Sequence, residues 1–325
     1  MTEWVLGIDT SNYTTSLAAV TLDHQILHQQ RQLLSVPIGD RGLRQSEAVF
    51  AHLRIMNQMF QQLKKPDQSP IAIGVSSKPR ALADSYMPVF LVGSQFADVL
   101  SQMLQIPLFT YSHQEGHIKA GLFSAGGPNL PQFLAVHLSG GTTELLLVNK
   151  QENHFSETIL SATSDISAGQ LIDRIGVAMG LPFPAGPSLE LLAQTSTKNL
   201  TSIPAAYHQG KLSFSGAENQ GMLLWQAGTD PAELARAIEN CVANSLEKMI
   251  RSAIETLKIK NVLLVGGVIA NLYLRDRLRH KLEHPAVGAH LYFATPELSS
   301  DNAVGVALLA AEAFSVDRKG LQEGV

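Results

Sequence analysis

The chain has 325 residues, of which 45% are hydrophobic and 16% charged, and its net charge at pH 7 is −4. This length exceeds the size at which one core usually stops growing, so two lobes are expected, and the acidic balance argues against a protein that holds nucleic acid by its overall charge. No apolar run is long enough to span a bilayer, the single cysteine, Cys241, cannot form an internal disulfide, and the first residues lack the pattern of a signal peptide, so a cytoplasmic protein that does not enter a membrane is expected.

The first third of the chain reads as strands followed by alternating helices and strands. Apolar runs on either side of a polar turn predict a β-hairpin over 4–9 and 15–21, and a third strand is expected at 25–34. Apolar residues at helical spacing predict a helix at 46–63. The remaining predictions here are a strand at 71–76, a helix at 90–104 and a short strand at 108–111.

The same order begins again after 132. Strands are predicted at 133–138, 144–149 and 154–160, followed by helices and two further strands at 261–265 and 290–293. The long helices are expected at 232–257, from Asn271, and from about Ser300 to the end. The segment Thr14–Val20 can be laid over Thr142–Val148, so an internal duplication is the economical account. The expected fold is α/β, with lobes at 1–125 and 126–325, a cleft between them, and a terminal helix that packs back on the first lobe.

Two histidines four residues apart, His113 and His117, form the most informative motif. On a helix both rings lie on one face and can reach one metal ion. The alternative is that they are ordinary core or surface histidines.

Two glycine pairs stand at positions typical of phosphate sites. In Leu138–Thr143 the paired glycines would allow positive φ and bring amide N–H groups close to an anion, but a tight hairpin turn explains them equally well. In Leu264–Asn271 the glycines lie between a buried strand and a helix, where α/β sheets present nucleotides; close packing of helix on strand is the alternative. Neither segment is a Walker loop.

Three other polar groups need an explanation. Asp173 lies on an apolar helix, where ribose hydroxyls would suit it, with a cap or an ion pair with Arg174 as the alternative. Ser188 is expected to cap a helix with Glu190 in its first turn. Ser300 or Asp301 is expected to cap the last helix, although Asp301 could instead be the third ligand to the two histidines.

Basic residues follow Leu274 at every second position. They would either contact a polyanion or form a solvated helix face. They are Arg275, Arg277, Arg279 and Lys281.

Taken together, the segments resemble the TsaD/Gcp family (Kae/Qri type, the peptidase M22 "glycoproteases") of the actin-like ATPase (ASKHA) superfamily. The resemblance covers nearly the whole chain and rests on seven ordered segments. They are Gly7–Ser11, His113-x-x-Gly116-His117, Ser139–Gly141, Asp173 with Gly180–Pro187, Phe214–Gly216, Gly266–Asn271 and Ser300–Asn302.

The resemblance implies duplicated actin-like, ribonuclease H-like lobes and transfer of threonylcarbamoyl from threonylcarbamoyl-AMP to the tRNA adenosine beside the anticodon. It implies one divalent iron or zinc ion, ATP, ADP or threonylcarbamoyl-AMP as ligand, transient tRNA binding, TsaB-like and TsaE-like partners, and a possible homodimer. The metal ligands would be His113, His117 and Asp301. The nucleotide site would comprise His137, Leu138, Ser139, Gly140, Gly141, Asp173, Gly186, Glu190 and Asn271.

Protease activity is not expected, because the general-base Glu of a zincin directly follows the first His. Here Glu115 lies two residues after His113, about 200° around the helix and away from the ligand face.

The chain departs from the family near the reaction centre. Asn12–Thr15 stands where the family has Cys-Asp-Glu-Thr, so Tyr13 and Thr14 replace an acidic pair and no catalytic residue is assigned. The segment Lys78–Pro88 replaces a Gly-Pro-Gly-Leu stretch. The resemblance implies acyl transfer as the activity. The departures leave a divergent paralogue as the alternative, one that binds nucleotide and metal as a regulatory or assembly subunit or as a weak ATPase.

Overall fold

A computed structural model describes residues 2–37, 42–82, 84–197, 201–208 and 210–323. The first part of the chain forms a five-stranded sheet with helices packed on it. Its strands are β1 (Trp4–Thr10), β2 (Thr14–Thr21), β3 (Ile26–Leu33), β4 (Ala72–Lys78) and β5 (Leu108–Ser112), and its helices are α1 (Gln45–Gln62), α2 (Val89–Leu104) and α3 (His113–Ala125).

The second part forms another five-stranded sheet. It comprises the strands β6 (Gln132–Leu138), β7 (Thr143–Lys150), β8 (Phe155–Ala162), β11 (Asn261–Val265) and β12 (His290–Phe293), and a separate hairpin of β9 (Tyr207–His208) and β10 (Lys211–Leu212). The helices are α4 (Ala168–Ala178), α5 (Gly186–Gln194), α6 (Ser215–Gln226), α7 (Pro231–Leu257), α8 (Leu272–Leu282), α9 (Pro296–Ser299) and α10 (Val304–Glu323).

The two sheets share one topology. The strand orders are β3-β2-β1-β4-β5 and β8-β7-β6-β11-β12, with three antiparallel strands followed by two parallel ones in each. The central strand β1 is buried along its whole length, as expected for a strand covered on both faces. This repetition confirms the predicted duplicated α/β fold.

The terminal helix α10 packs against strands and a helix of the first part of the chain. It packs on β1 and β4 of the first sheet and crosses α3. At the crossing, a Cβ on Gly305 would lie 1.9 Å from the carbonyl oxygen of Gly116, so only glycine permits this approach. The close crossing brings the residues just before α10 next to the histidines of α3.

The beginning of α10 differs from the sequence prediction. The helix starts at Val304, and the Asn302 side chain accepts hydrogen bonds from the N–H groups of Val304 (3.0 Å) and Gly305 (3.4 Å). The prediction that Ser300 or Asp301 caps this helix is therefore wrong. Asp301 is left free for another role.

The basic residues of α8 do not form a stripe for a polyanion. Arg275 is buried and donates to the carbonyl oxygens of Ile269 and Ala294, while Arg277 donates to Asn244. Residues two positions apart, such as Arg275 and Arg277, lie about 200° apart around a helix, so these two side chains point to opposite sides of α8. Cys241 is buried in the core, as predicted.

No helix among the described residues is both long enough and apolar enough to cross a membrane.

Candidate functional site

The histidine motif lies in the first turns of α3, and the local sequence fixes where that helix begins. Ser112 accepts a hydrogen bond from the N–H of Glu115 (3.1 Å), and the Glu115 carboxylate accepts one from the N–H of Ser112 (2.7 Å). This reciprocal capping box places His113 at the first helical position. His113 and His117 are thus one turn apart on one face.

Three side-chain atoms converge at this face. The Nε2 atoms of His113 and His117 are 3.1 Å apart, and Oδ1 of Asp301 lies 3.2 Å from Nε2 of His117 and 3.5 Å from that of His113. Tetrahedral ligands at about 2.0–2.2 Å from one zinc ion are separated by about 3.3–3.5 Å. The donor set and spacing therefore fit a divalent transition metal with open positions.

Residues of the β1–β2 hairpin orient His113 and Asp301. Nδ1 of His113 lies 3.0 Å from Oδ1 of the fully buried Asp9, and the Ser11 hydroxyl donates to Asp301. Such partners fix the ring so that Nε2 of His113 would face a bound metal ion. The sequence patterns did not predict this role for Asp9, although a carboxylate at the end of an otherwise apolar strand was a signal for it.

We call His113, His117 and Asp301 the triad. The charges around it favour a cation bound between these three side chains. Burial lowers the pKa of His113, but the charges of Asp9 and Asp301 and their hydrogen bonds outweigh it and raise that pKa to about 10. The pKa of Asp301 lies well below its usual value despite burial, because it accepts hydrogen bonds from both histidines. A metal ion would replace the proton that these carboxylates attract.

Two residues expected at the nucleotide site, His137 and Leu138, have buried side chains. His137 is buried with its ring 4.7 Å from that of His117, and neither of its nitrogens has a hydrogen-bond partner among the described residues. Burial lowers its pKa well below the ordinary value, so the ring is neutral. Leu138 is fully buried in the core of the second lobe. The structure thus places His137 next to His117, on the interior side of α3.

The Ser139–Gly141 turn joins β6 to β7. The N–H of Ser139 donates to the carbonyl of Thr142 (2.8 Å), and the N–H of Thr142 donates to the Ser139 hydroxyl (3.1 Å). Neither Gly140 nor Gly141 has positive φ, so the turn does not use the left-handed conformation that glycine allows. A Cβ at either position would meet no atom within 4 Å. The glycines leave open space in front of the turn, as a bound anion requires.

The start of α4 supports this turn. The hydroxyl of Ser167 donates to the carbonyl of Gly140 (2.8 Å). A Cβ on Gly169 would lie 2.5 Å from the carbonyl oxygen of Ser139, so only glycine fits there. The turn is consequently held against the end of a helix.

A cavity of about 280 Å³ opens beside the turn, and five of the predicted nucleotide-site residues line it. They are Gly140, Asp173, Gly186, Glu190 and Asn271. Its lining carries few polar groups, as is usual for small-molecule sites.

Asp173 is the main carboxylate of this cavity. Its Oδ1 accepts a hydrogen bond from the N–H of Ala185 (2.7 Å), while burial raises its pKa to about 6. The alternative ion pair with Arg174 is not formed, since Arg174 pairs with Glu218 at 2.9 Å. Asp173 keeps acceptor capacity for a ligand hydroxyl.

Asn271 and Glu190 are held by the start of α8. The Asn271 side chain accepts from the N–H of Leu274 (2.9 Å) and donates to Glu239 (2.6 Å), and Glu190 accepts from the N–H of Leu272 (2.8 Å). The role of Glu239 was not foreseen, because it lies far away in sequence on α7. The side-chain amide of Asn271 is thereby fixed in one orientation.

The start of α5 differs from the prediction. The helix begins at Gly186, with Pro187 in its first turn, so Ser188 lies inside it and caps nothing. Glu190 is correspondingly beyond the first turn.

A second cavity of about 270 Å³ adjoins the first and extends to Asp301 of the triad. Ser139, Gly141 and Asp301 line it together with Tyr13 and Thr14 of the β1–β2 hairpin. The Tyr13 ring packs edge-on against Phe183 at 5.6 Å between centroids. The cleft therefore runs from Asp173 past the turn to Asp301, and Tyr13 and Thr14 line its opposite wall.

Glu115 faces away from the triad. Besides capping α3, its carboxylate lies 3.1 Å from Nδ1 of His154. It is not available to act as the general base of a zincin-type protease at His113 and His117.

Comparison with known proteins agrees with this architecture. The family model described as "TsaD: tRNA N6-adenosine threonylcarbamoyltransferase" matches residues 85–308, more than half of the chain. HypF from T. kodakarensis is 14% identical with a TM-score of 0.60, over 98% of this chain and 48% of that one. The ADPNP-bound activator of 2-hydroxyisocaproyl-CoA dehydratase from Clostridium difficile is 13% identical with a TM-score of 0.57, over 98% and 97%.

A ROK family glucokinase from Streptomyces griseus, in complex with glucose and AMPPNP, is 14% identical with a TM-score of 0.54, over 94% of this chain and 99% of that chain. These likenesses show the fold, which is that of the actin-like ATPases.

Proposed function

The chain belongs to the TsaD family, and from that premise we propose that it transfers a threonylcarbamoyl group from threonylcarbamoyl-AMP to an adenosine of tRNA. The observation that carries the proposal is the continuity of the cleft, which joins a nucleotide-sized cavity at Asp173 to Asp301, the carboxylate that contacts His113 and His117. An acyl-adenylate has this layout, with a nucleoside at one end and an acyl phosphate at the other.

The residues of the cleft suit the parts of this substrate. Asp173 would accept hydrogen bonds from the ribose hydroxyls, and Asn271 would fix the nucleoside through its oriented amide. The amides of the Ser139–Gly141 turn would lie at the phosphate. His113, His117 and Asp301 would hold iron or zinc, which when bound supplies polarisation of the acyl phosphate.

The reaction is a nucleophilic acyl substitution. The adenine N6 amine of tRNA attacks the carbonyl carbon of the acyl phosphate, a C–N bond forms, the C–O bond to phosphate breaks, and AMP leaves with the electron pair. The amine loses one proton. No residue is assigned as its acceptor, because Tyr13 and Thr14 occupy the positions of the family's acidic pair.

The decisive assay supplies purified protein with threonylcarbamoyl-AMP, tRNA and TsaB-like and TsaE-like partners, and measures modified nucleosides by mass spectrometry. Threonylcarbamoyl-adenosine should appear, and His117→Ala should abolish it. No product from protein that binds nucleotide and metal would refute the transferase and favour the divergent paralogue, a regulatory subunit or weak ATPase.

Partner binding is also part of the proposal. Exposed apolar side chains on α1 and α2 offer a surface to a TsaB-like protein: Phe50 is 62% exposed, Val99 59% and Met103 77%. Met103→Glu should abolish co-elution with that partner on size exclusion. Unchanged co-elution would exclude this face, and dimerisation of the protein alone through it would indicate a homodimer. We also propose that the protein binds a TsaE-like partner and that it is located in the cytoplasm.

A further inference from the structure

A cavity of about 290 Å³ lies outside the cleft and has no part in the proposed transfer. It is formed by the segment after β4, by the β7–β8 hairpin and by Gln114 of α3. We call it the Arg80–Glu157 cavity. Because Gln114 rather than His113 or His117 lines it, it opens on a different face of α3 from the triad. The segment after β4 is also where this chain departs from the Gly-Pro-Gly-Leu pattern of the family it resembles.

Glu157 contributes an unpaired carboxyl group to this cavity. Its Oε1 is buried and has no hydrogen-bond partner among the described residues. Burial, together with the charges of Glu115 and Glu144, raises its pKa to about 8, and the nearby Arg80 only partly offsets this. A buried carboxyl without a partner is costly, and a positively charged ligand group would remove that cost.

The neighbouring carboxylates, by contrast, are satisfied. Glu144 accepts a hydrogen bond from Gln114 (2.9 Å) and pairs with Arg80, and Glu115 is occupied by Ser112 and His154. Of the three glutamates Glu115, Glu144 and Glu157, only Glu157 has a buried carboxyl oxygen with no hydrogen-bond partner among the described residues.

Arg80 contributes the opposite charge. One of its terminal nitrogens contacts Glu144, and its side chain is 38% exposed at the cavity. A guanidinium carries five N–H donors in a planar fork, so donors remain for a second carboxylate. Because Glu144 anchors the guanidinium, little side-chain entropy is lost when a ligand binds.

The rest of the wall is neutral. Phe155, Ile159 and Leu82 supply apolar surface, and Ser156 supplies a hydroxyl. A small cavity with one unsatisfied carboxyl, one anchored guanidinium and an apolar wall complements a molecule that carries both charges on a short neutral frame. We propose that the Arg80–Glu157 cavity binds a neutral α-amino acid, with its carboxylate on Arg80, its ammonium on Glu157 and its side chain along Phe155.

The test is isothermal titration of the full-length protein with L-leucine and L-alanine, each up to about 20 mM. One or both should bind. N-acetyl-L-leucine lacks the ammonium and L-leucinamide lacks the carboxylate, so each should bind at least about 10-fold more weakly than L-leucine. These comparisons use the unaltered protein and do not depend on the folding of a variant.

Matched variants test the two contacts. Glu157→Gln should weaken L-leucine binding at least about 10-fold, as should Arg80→Lys, which keeps the charge beside Glu144 but loses the fork. Glu152→Gln, an exposed change in the same hairpin, should leave it unchanged. AMPPNP titration of each variant reports whether the rest of the molecule is intact.

The proposal is overturned if neither amino acid binds, if either analogue binds as well as L-leucine, or if either variant leaves L-leucine binding unchanged. Binding of L-leucinamide equal to that of L-leucine would identify a site for cations alone, and equal binding of N-acetyl-L-leucine would identify a site for carboxylates alone. Either result contradicts the amino-acid site, and none bears on transfer in the cleft.

Discussion

Replacement of Asp173 by Asn should make the protein more stable and weaken its binding of nucleotide. Burial raises the pKa of this carboxyl from 3.8 to about 6. Since one pKa unit corresponds to about 1.4 kcal/mol, the ionised form costs roughly 2–3 kcal/mol in the folded state at neutral pH. The Asn side chain is neutral and keeps an oxygen for the N–H of Ala185, so Asp173→Asn removes this cost without losing the hydrogen bond.

The sign of the pH dependence follows from the raised pKa of Asp173. Below pH 4 the carboxyl is protonated in both the folded and the unfolded state and contributes nothing. Between pH 4 and 6 the unfolded state ionises first, so the wild-type protein loses stability as pH rises, and above about pH 7 the loss is complete. The stability difference between Asp173→Asn and wild type should therefore grow from pH 4 to about 7 and then level off.

Urea unfolding of both proteins at several pH values measures this difference, and AMPPNP titration measures binding. Loss of the charged acceptor for ribose hydroxyls should weaken AMPPNP binding by about 10–100-fold. Asp276→Asn, an exposed change on α8, should alter neither property. A stability difference that is constant with pH would refute the assigned burial of Asp173, and unchanged AMPPNP affinity would refute its place in the nucleotide site.

The other predictions concern the triad, the glycine turn and Asn271. His113→Ala should abolish bound metal in elemental analysis while His154→Ala retains it; metal content unchanged in the first variant would exclude the proposed ligands. Gly169→Ala should destabilise the protein by about 2 kcal/mol or more in urea unfolding, because its Cβ would meet the turn, whereas Gly141→Ala points into open space and should cost under about 1 kcal/mol. Equal costs would contradict the packing described. Asn271→Ala should weaken AMPPNP binding at least about 10-fold and remove a helix cap worth about 1 kcal/mol; wild-type affinity would show that its amide does not contact the nucleotide.

Local patterns in the sequence predicted most of the secondary structure. The hairpin at the start, the strand Asn261–Val265 and the strand His290–Phe293 carry strong β patterns, and the structure has them at or within a residue or two of the predicted limits. The repeat of strand order was visible because both lobes begin with the same hairpin.

What the sequence did not reveal depends on contacts between distant segments. Asn302 caps α10 although Ser300 and Asp301 are equally good capping residues, because the close crossing at Gly305 fixes where that helix begins. The buried position of His137 follows from its packing against α3, which the strand pattern alone does not specify. Asp9 and Glu239 likewise act on residues that lie more than thirty positions away.

We propose that one cleft holds the nucleotide and the metal side by side. The most direct test is a crystal structure of the protein grown with AMPPNP and zinc, with anomalous data collected at the zinc edge. We predict an anomalous peak between His113, His117 and Asp301, with the ribose at Asp173 and the phosphates facing the Ser139–Gly141 turn. Nucleotide bound outside this cleft, or zinc bound away from the three ligands, would contradict it.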